Sequence, residues 1–362
     1  MRPLIHPALA RVWRDPTTIQ IGLDPARAVV LSGLTALETT VLRALNGHCD
    51  RFMLQSLAKG QGGDAAVADR LLDVLQSAGV LVDHDRLPPA DRPDGVAKPL
   101  RSSDERPDDL GDARAPDRAS LGLLTGALDG GAAAMQARHT AWIEVRDAGR
   151  VGAQVARLLD AAGVGRTTVV DPALASVHDV TPGGLGARQV GRPRQEGVRR
   201  LIAGAGSPTT GRSPAATPEA AVPNLVVLTP SAGAAGVRGG EALVAARIPH
   251  LAARVVELTG VVGPLVIPGR TCCLRCLDLH RCDRDPAWPR IVAQADHRGS
   301  GVAACDVTLA AQVAALAAQQ VLAHLDGFHP ATVDGTVEVS LPYGLPRRRS
   351  WRPHPACGCA WT

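Results

Sequence analysis

AWIEVRDAGRVGAQVARLLDAAGVGRTTVVD, residues 141–171, is the stretch from which the rest of the chain can be read. Ala141-Trp-Ile-Glu-Val145 is short and rich in β-formers, so it reads as a strand. Asp147 to Gly152 is a glycine-bearing turn. Val151, Val155, Leu158 and Leu159 then recur at helical spacing until Gly163 closes the helix, and Arg166-Thr-Thr-Val-Val170 is a second strand ending in Asp171. Further on, Asn224-Leu-Val-Val-Leu-Thr229 is a continuous apolar strand of the kind buried on both faces of a parallel sheet. Strand and helix alternate, so the expected fold class is α/β, a doubly wound sheet spanning residues 119–362.

The turn has a chemical reading. A glycine loop between strand and helix places phosphate oxygens on helix N-terminal amides, where free N–H groups and the helix dipole favour anions. An acid about twenty residues on then binds ribose hydroxyls. Gly149, Gly152 and Asp171 fit that arrangement as nucleotide-binding residues, whereas the first glycine position is Asp147. A β-carbon and a negative charge there crowd and repel a phosphate. Two readings stay open: a weakened nucleotide site, or a Rossmann-like turn kept for packing alone.

Two cysteine doublets, Cys273-Leu-Arg-Cys276 and Cys357-Gly-Cys359, lie about eighty residues apart in turn-rich segments. Converging thiol pairs give a tetrahedral all-thiolate site, which Zn²⁺ favours among the common metals. Such a C-terminal zinc knuckle would clip the end of the chain back onto the body. Ordinary reduced thiols are the alternative, and Cys272 adjoins the first pair as a competing ligand.

Bulk properties bound the rest. With 45% hydrophobic but only 2% aromatic residues, the core must be built from Ala, Val and Leu. The net charge of +4 over 362 residues is small and dispersed, which gives a nucleic-acid role little support. No secretory signal opens the chain, and eight cysteines without one point to reduced thiols or metal. Val302 to Leu325 is apolar but carries Asp306, three glutamines and His324, so it reads as a buried or amphipathic helix and not as a membrane span. A cytoplasmic location is expected.

Residues 1–83 read as a separate small domain. Thr18 to Leu23 and Ala28 to Leu31 suggest a hairpin. Thr35-Ala-Leu-Glu38 is a capping box ahead of Leu37, Val41, Leu42 and Leu45, with Gly47 as the stop. Phe52 to Lys59 is a short helix, and Asp64 caps a third before Gly79 and Val80-Leu-Val82. A strand pair, three helices and a final strand is a winged-helix layout. DNA binding is disfavoured because Arg70 of the third helix stands against Asp69 and Asp73. From residue 84 to 118, six prolines and dense Asp and Arg read as a disordered linker. Gly204 to Pro223 reads as a low-complexity surface loop.

Ala162-Gly-Val-Gly165 leading to Asp171, Pro264-Leu-Val266 and the cysteine doublets resemble, over about Arg138 to Cys359, the ThiF-type, ubiquitin-activating-enzyme-like adenylyltransferases. The resemblance implies ATP–Mg²⁺ binding and adenylylation of the C-terminus of a small ubiquitin-like protein or peptide, with Asp171 on the ribose and Arg194 as the retained cation of the motif Val190-Gly-Arg-Pro-Arg194. It also exposes departures. The family's second acid falls on Ala173, its Asn on Asp179, its Arg on Pro182, and its Mg²⁺-organising acid on Ser231. Residues 6–82 resemble the PqqD-type peptide-binding winged helix. Together the two parts look like the partner proteins of azoline-forming cyclodehydratases. There the ThiF-like part is a scaffold, a YcaO-type enzyme uses the ATP, and the leader peptide adds a strand to the hairpin.

The sequence therefore supports a zinc-containing peptide-binding scaffold with a degenerate nucleotide site, and alternatively an active adenylyltransferase; a homodimer is possible in either case. The family resemblance also offers Cys282 as a thioester-forming thiol, against its plainer reading as part of a charge-paired helix end. His250 and His280 read as packed or hydrogen-bonded, and Cys49 and Cys305 as core. Arg347-Arg-Arg349 beside Trp351 reads as a solvated face or a contact for an acidic peptide.

Overall fold

The computed structural model describes residues 1–92, 113–204, 222–230, 237, 239–295 and 302–359. The chain falls into two units, Met1–Gln136 and Ala137–Thr362.

The first unit is ordered β1 (Pro3–Ile5), β2 (Arg11–Asp15), β3 (Thr18–Ile21), β4 (Val29–Leu31), α1 (Ala36–Arg43), α2 (Arg51–Gly60), α3 (Ala66–Ser77), β5 (Leu81–Asp83) and α4 (Ala115–Thr125), with α5 (Ala132–Thr140) crossing the boundary. The expected hairpin is present as β3–β4, and β2 extends it to a three-stranded antiparallel sheet, while β1 pairs with β5. The α1 capping box forms as read: Thr35 Oγ1 accepts the Glu38 N–H at 3.2 Å, and the Glu38 carboxylate accepts the Thr35 N–H at 2.8 Å. Ile19 and Ile21 of the sheet pack against Val41, Leu42, Leu54, Leu72 and Leu75 of the helices. Asp64 does not cap α3 as expected; its carboxylate accepts the Ala66 N–H, and Ala65 at the N-cap has no side-chain cap bond.

The ends of the expected linker 84–118 are structured. Leu87 is buried with Leu4 and Val82. The Asp91 carboxylate takes both Nε and Nη2 of Arg118, the latter at 2.7 Å, and the Arg118 side chain is only 7% exposed. Charges that composition treats as solvated are here each other's partners in a bidentate pair, which is what ties this segment down. The boundary between units accordingly falls at 136/137. The remaining linker residues, 93–112, lie outside the described residues, as do 205–221 of the expected surface loop.

The second unit continues with β6 (Trp142–Arg146), α6 (Gly152–Ala161), β7 (Arg166–Val170), α7 (Arg194–Gly204), β8 (Leu225–Leu228), α8 (Gly240–Ala245), β9 (His250–Val256), β10 (Thr259–Val266), α9 (Leu274–Arg284), α10 (Trp288–Ala295), α11 (Val307–Leu325), β11 (Gly335–Ser340) and β12 (Pro346–Ser350). One seven-stranded sheet runs β12-β11-β10-β9-β8-β6-β7. Only β7, β6, β8 and β9 are parallel. Val256 pairs with Thr259 across the two-residue turn Glu257-Leu258, a hairpin connection that only antiparallel strands can use, and β10 to β12 continue antiparallel. The sheet is thus mixed, with a doubly wound half.

Both faces of the parallel half are covered. Leu225 and Val227 of β8 enter the main core with Val155 and Leu159 of α6 and Leu309, Val313 and Ala317 of α11, while Val226 and Leu228 meet Leu243 of α8 on the other face. By length and composition α11 is apolar enough to cross a bilayer, but its inner face is spent on this core, and Asp306 caps it by accepting the Thr308 and Leu309 N–H groups.

Candidate functional site: a cleft at the sheet switch point and a four-cysteine centre

The chain leaves β6 toward β7 on one side and later enters β8 on the other, so the strand order reverses between β6 and β8. Ligands of open α/β sheets bind at such a point, beyond the carboxyl ends of the strands. A cavity of about 440 Å³ lies there, lined among others by Gly149, Arg150, Asp179, Arg194, Thr229 and Cys305. Its floor is the expected turn. Gly152 has no room for a β-carbon, which would run into the Asp147 carbonyl and the Thr229 hydroxyl. That hydroxyl shares its one proton between the carbonyls of Arg146 and Asp147, joining the ends of β6 and β8.

Asp147, at the first glycine position, is held at φ +72°, a left-handed conformation that glycine adopts without strain. Its Oδ1 accepts the Gly149 N–H at 3.1 Å and lies 3.6 Å from Arg194 Nη1. Arg194 is bidentate on Asp179, with Nε to Oδ2 at 3.0 Å and Nη2 to Oδ1 at 2.9 Å, and its Nη1 reaches Asp171 Oδ2 at 3.4 Å. Burial works against the guanidinium charge, but Asp179, Asp171 and Asp147 outweigh it and raise the Arg194 pKa. Asp171 is itself engaged: Oδ2 accepts the Ala148 N–H at 2.8 Å and Oδ1 that of Ala173 at 3.0 Å.

The structure therefore brings Gly149, Gly152, Asp171 and Arg194 together as the sequence reading expected. It also shows the cation committed to three carboxylates and the acid committed to the backbone. Sequence reasoning missed this role of Asp179, which additionally accepts the N–H and hydroxyl of Ser176. It also missed Arg150, whose Nη1 donates to the His178 carbonyl at 2.8 Å on the cleft wall. Cys305 packs against the main core as read, but it is only half-buried and also lines the cleft; burial raises its thiol pKa, and Arg150 opposes the shift. The cleft lining sets two carboxylates, Asp179 and Asp306, against two guanidinium groups, Arg150 and Arg194, and Arg194 is further neutralised by Asp147 and Asp171. That balance disfavours a polyanion. Ser231 lies outside the described residues.

The cysteine doublets converge. Cys273 is the N-cap residue of α9 and Cys276 lies in its first turn, while Cys357 and Cys359 follow β12. Cys273 Sγ is 3.7 Å from Cys276 Sγ and 3.4 Å from Cys357 Sγ, Cys276 Sγ is 3.4 Å from Cys359 Sγ, and all four sulfurs lie within 4.8 Å of one another. The edges of a zinc–thiolate tetrahedron are about 3.8 Å for Zn–S near 2.3 Å, so the three close pairs fit zinc with shifts of a few tenths of an ångström and the other edges lie within about 1 Å of it. Burial raises the Cys273 and Cys359 thiols, the latter to about 12, whereas the N–H of His354, 3.3 Å from Cys276 Sγ, helps lower the Cys276 thiol against its own burial. A buried thiol set of this kind is stabilised by a divalent cation that takes it as thiolate.

Cys272 does not compete. It is fully buried beside Asp334, which accepts its N–H at 2.7 Å, and it is not part of the four-sulfur cluster. Trp351 anchors the returning chain, buried and donating Nε1–H to Thr336 Oγ1 at 3.0 Å. Cys282 lies beyond the cluster on α9, where Arg281 pairs with Asp278 and Asp283 with His354. His250 is buried with Nδ1 3.0 Å from the Ile248 carbonyl, and His280 Nε2 is 2.9 Å from that of Arg352, so both are hydrogen-bonded as expected.

No protein-family model matches the sequence, and none of the curated proteins does. Solved structures do match. E. coli MccB with ATP superposes with a TM-score of 0.68 at 13% identity, covering 99% of this chain and 100% of that one. E. coli MccB with AMPCPP and MccA gives 0.70 at 12% identity and covers both chains entirely. The heterocyclase TruD gives 0.56 at 15% identity, covering 99% of this chain and 42% of the longer one. At such identities the likeness shows a shared fold, and with MccB that fold extends over the N-terminal unit as well as the seven-stranded sheet.

Proposed function

We propose that this chain is a ThiF-like, zinc-containing scaffold for peptide modification. Its N-terminal unit, a PqqD-like winged helix, would hold a substrate peptide, and its C-terminal unit, with a degenerate nucleotide site, would dock a separate modification enzyme of the YcaO type. The observation that carries the reading is Arg194: the one motif cation retained from the adenylyltransferases is bound by Asp147, Asp171 and Asp179, not presented to a phosphate. MccB, a microcin C7 biosynthetic enzyme solved with N-formylated MccA, and the heterocyclase TruD support a role in peptide processing. In the N-terminal unit, β4 is an edge strand with Val30 exposed, so an incoming peptide has a row of backbone groups on which to add a strand. Structural zinc at Cys273, Cys276, Cys357 and Cys359 would hold the C-terminal segment on α9.

The second reading, an active adenylyltransferase, is favoured by the cavity at the α6 N-terminus with Gly149 and Gly152 kept, and by the solved ATP complex of MccB. Calorimetry with ATP–Mg²⁺ and a pyrophosphate-exchange assay separate the two. The scaffold reading expects no exchange with any peptide and at most weak ATP binding. Low-micromolar ATP binding with exchange would establish the enzyme instead.

A further inference from the structure

Beside the four cysteines a second group of ligand side chains converges. His280 and Asp283 lie three residues apart on α9, and His354 comes from the segment that leads into Cys357. One ligand atom of each lies within 4.8 Å of the other two. His354 Nε2 is 2.9 Å from Asp283 Oδ2, and the two imidazoles meet edge to face with centroids 4.8 Å apart.

The His280 ring is oriented from behind. Its Nε2 lies 2.9 Å from the Arg352 carbonyl, which only accepts, so Nε2 carries the proton and Nδ1 keeps its lone pair. A histidine that gives one N–H to a backbone carbonyl and presents the other nitrogen has the outer-shell arrangement of metal-binding histidines. The Asp283 side chain is 64% exposed, so the carboxylate is accessible and able to shift toward an arriving ion. His354 Nδ1 accepts the Ala356 N–H at 3.1 Å, so Nε2 carries the proton now given to Asp283; ligation through Nε2 moves that proton to Nδ1, replaces the Asp283 hydrogen bond by the ion, and leaves the N–H of the exposed Ala356 to water.

We propose that His280, Asp283 and His354 form a second, exchangeable divalent-metal site, distinct from the four-cysteine centre. Two imidazoles and one carboxylate select a borderline ion such as Zn²⁺, Co²⁺ or Ni²⁺ over Mg²⁺ or Ca²⁺, and three protein ligands leave coordination positions open to water or to an external donor. Because the ligands come from α9 and from the loop carrying Cys357 and Cys359, an ion here ties together the same two segments as the thiolates do.

The test uses the full chain, passed over chelating resin and then equilibrated with tens of micromolar zinc, with metal per chain measured after each step. The expected result is one equivalent after the resin and two after equilibration. His280→Ala and Asp283→Ala should each abolish the second equivalent while leaving the first, and Asp283→Ala, at an exposed side chain, should leave the melting temperature without added zinc close to that of the wild type. A wild type that takes up no second equivalent, or an Asp283→Ala variant that keeps it, overturns the proposal. Should His280→Ala disturb α9, the exposed Asp283 carries the test alone. Cys276→Ser reports on the thiolate centre independently.

Discussion

Replacing Asp147 with glycine should raise the affinity of the cleft for phosphate. The substitution removes the outermost of the three carboxylates around Arg194. Asp147 Oδ1 lies 3.6 Å from Arg194 Nη1, so an anion bound to that guanidinium would sit roughly 5–6 Å from the carboxylate, where two unit charges repel by about 3 kcal/mol at an effective dielectric near 20. The Asp147 side chain is 26% exposed, so solvent screening roughly halves that figure, to about 1.5 kcal/mol, or about tenfold in affinity. Glycine also releases the Gly149 N–H, now held by the Asp147 carboxylate, as a donor toward a ligand. Stability should change little. The lost, partly exposed pairing costs about 1 kcal/mol, and relief of the left-handed backbone at φ +72° returns about the same. Asp147→Ala is the control: it should give the same gain in affinity but a lower melting temperature, because a β-carbon stays in the left-handed conformation. Calorimetry with ATP–Mg²⁺ on the three proteins is the assay. Low-micromolar binding by the wild type, or no gain in Asp147→Gly, would refute the argument that this carboxylate guards the cleft.

The other expectations concern stability and composition. Cys276→Ser should lose the tightly held zinc and melt well below the wild type, which metal analysis and calorimetric scanning check together. Arg138→Met leaves Asp326 buried without its partner, since the pair is 8% and 4% exposed, and should destabilise the C-terminal unit by about 3–5 kcal/mol in denaturant titration. The fragment of residues 1–136 should fold alone, whereas 1–83 should not, because it lacks the buried Leu87 and Leu121; amide dispersion in NMR spectra of both fragments decides this. Burial depresses the pKa of His6 and of His250, so below about pH 6.5 the unfolded chain binds more protons than the folded one. Melting temperature should therefore fall as pH drops through that range, and His250→Gln should flatten the fall.

What the sequence determined by itself was local. Strand, glycine turn, helix and strand over residues 141–171, the capping box at Thr35 and the two cysteine doublets are each encoded by neighbours a few residues apart, where side-chain period, caps and backbone freedom act directly. The sign of an electrostatic effect is not local. Asp147 looked like a bare charge facing a phosphate until the fold set it beside Arg194, a residue whose other partners, Asp171 and Asp179, come from different segments. The same holds for Asp91 and Arg118, which read as linker charges and form a mostly buried pair, and for Cys305, which packs against the core as read but also lines the cleft. It holds again for His354, which meets His280 and Asp283 once the chain after β12, with Trp351 buried beside β11, returns to α9. The antiparallel half of the sheet was also hidden, since Glu257-Leu258 carries none of the Gly or Asn that usually marks a two-residue hairpin. Periodicity tells which way a side chain faces along its own element, but the energy of a charge depends on distance and desolvation, and those exist only once distant segments have been brought together.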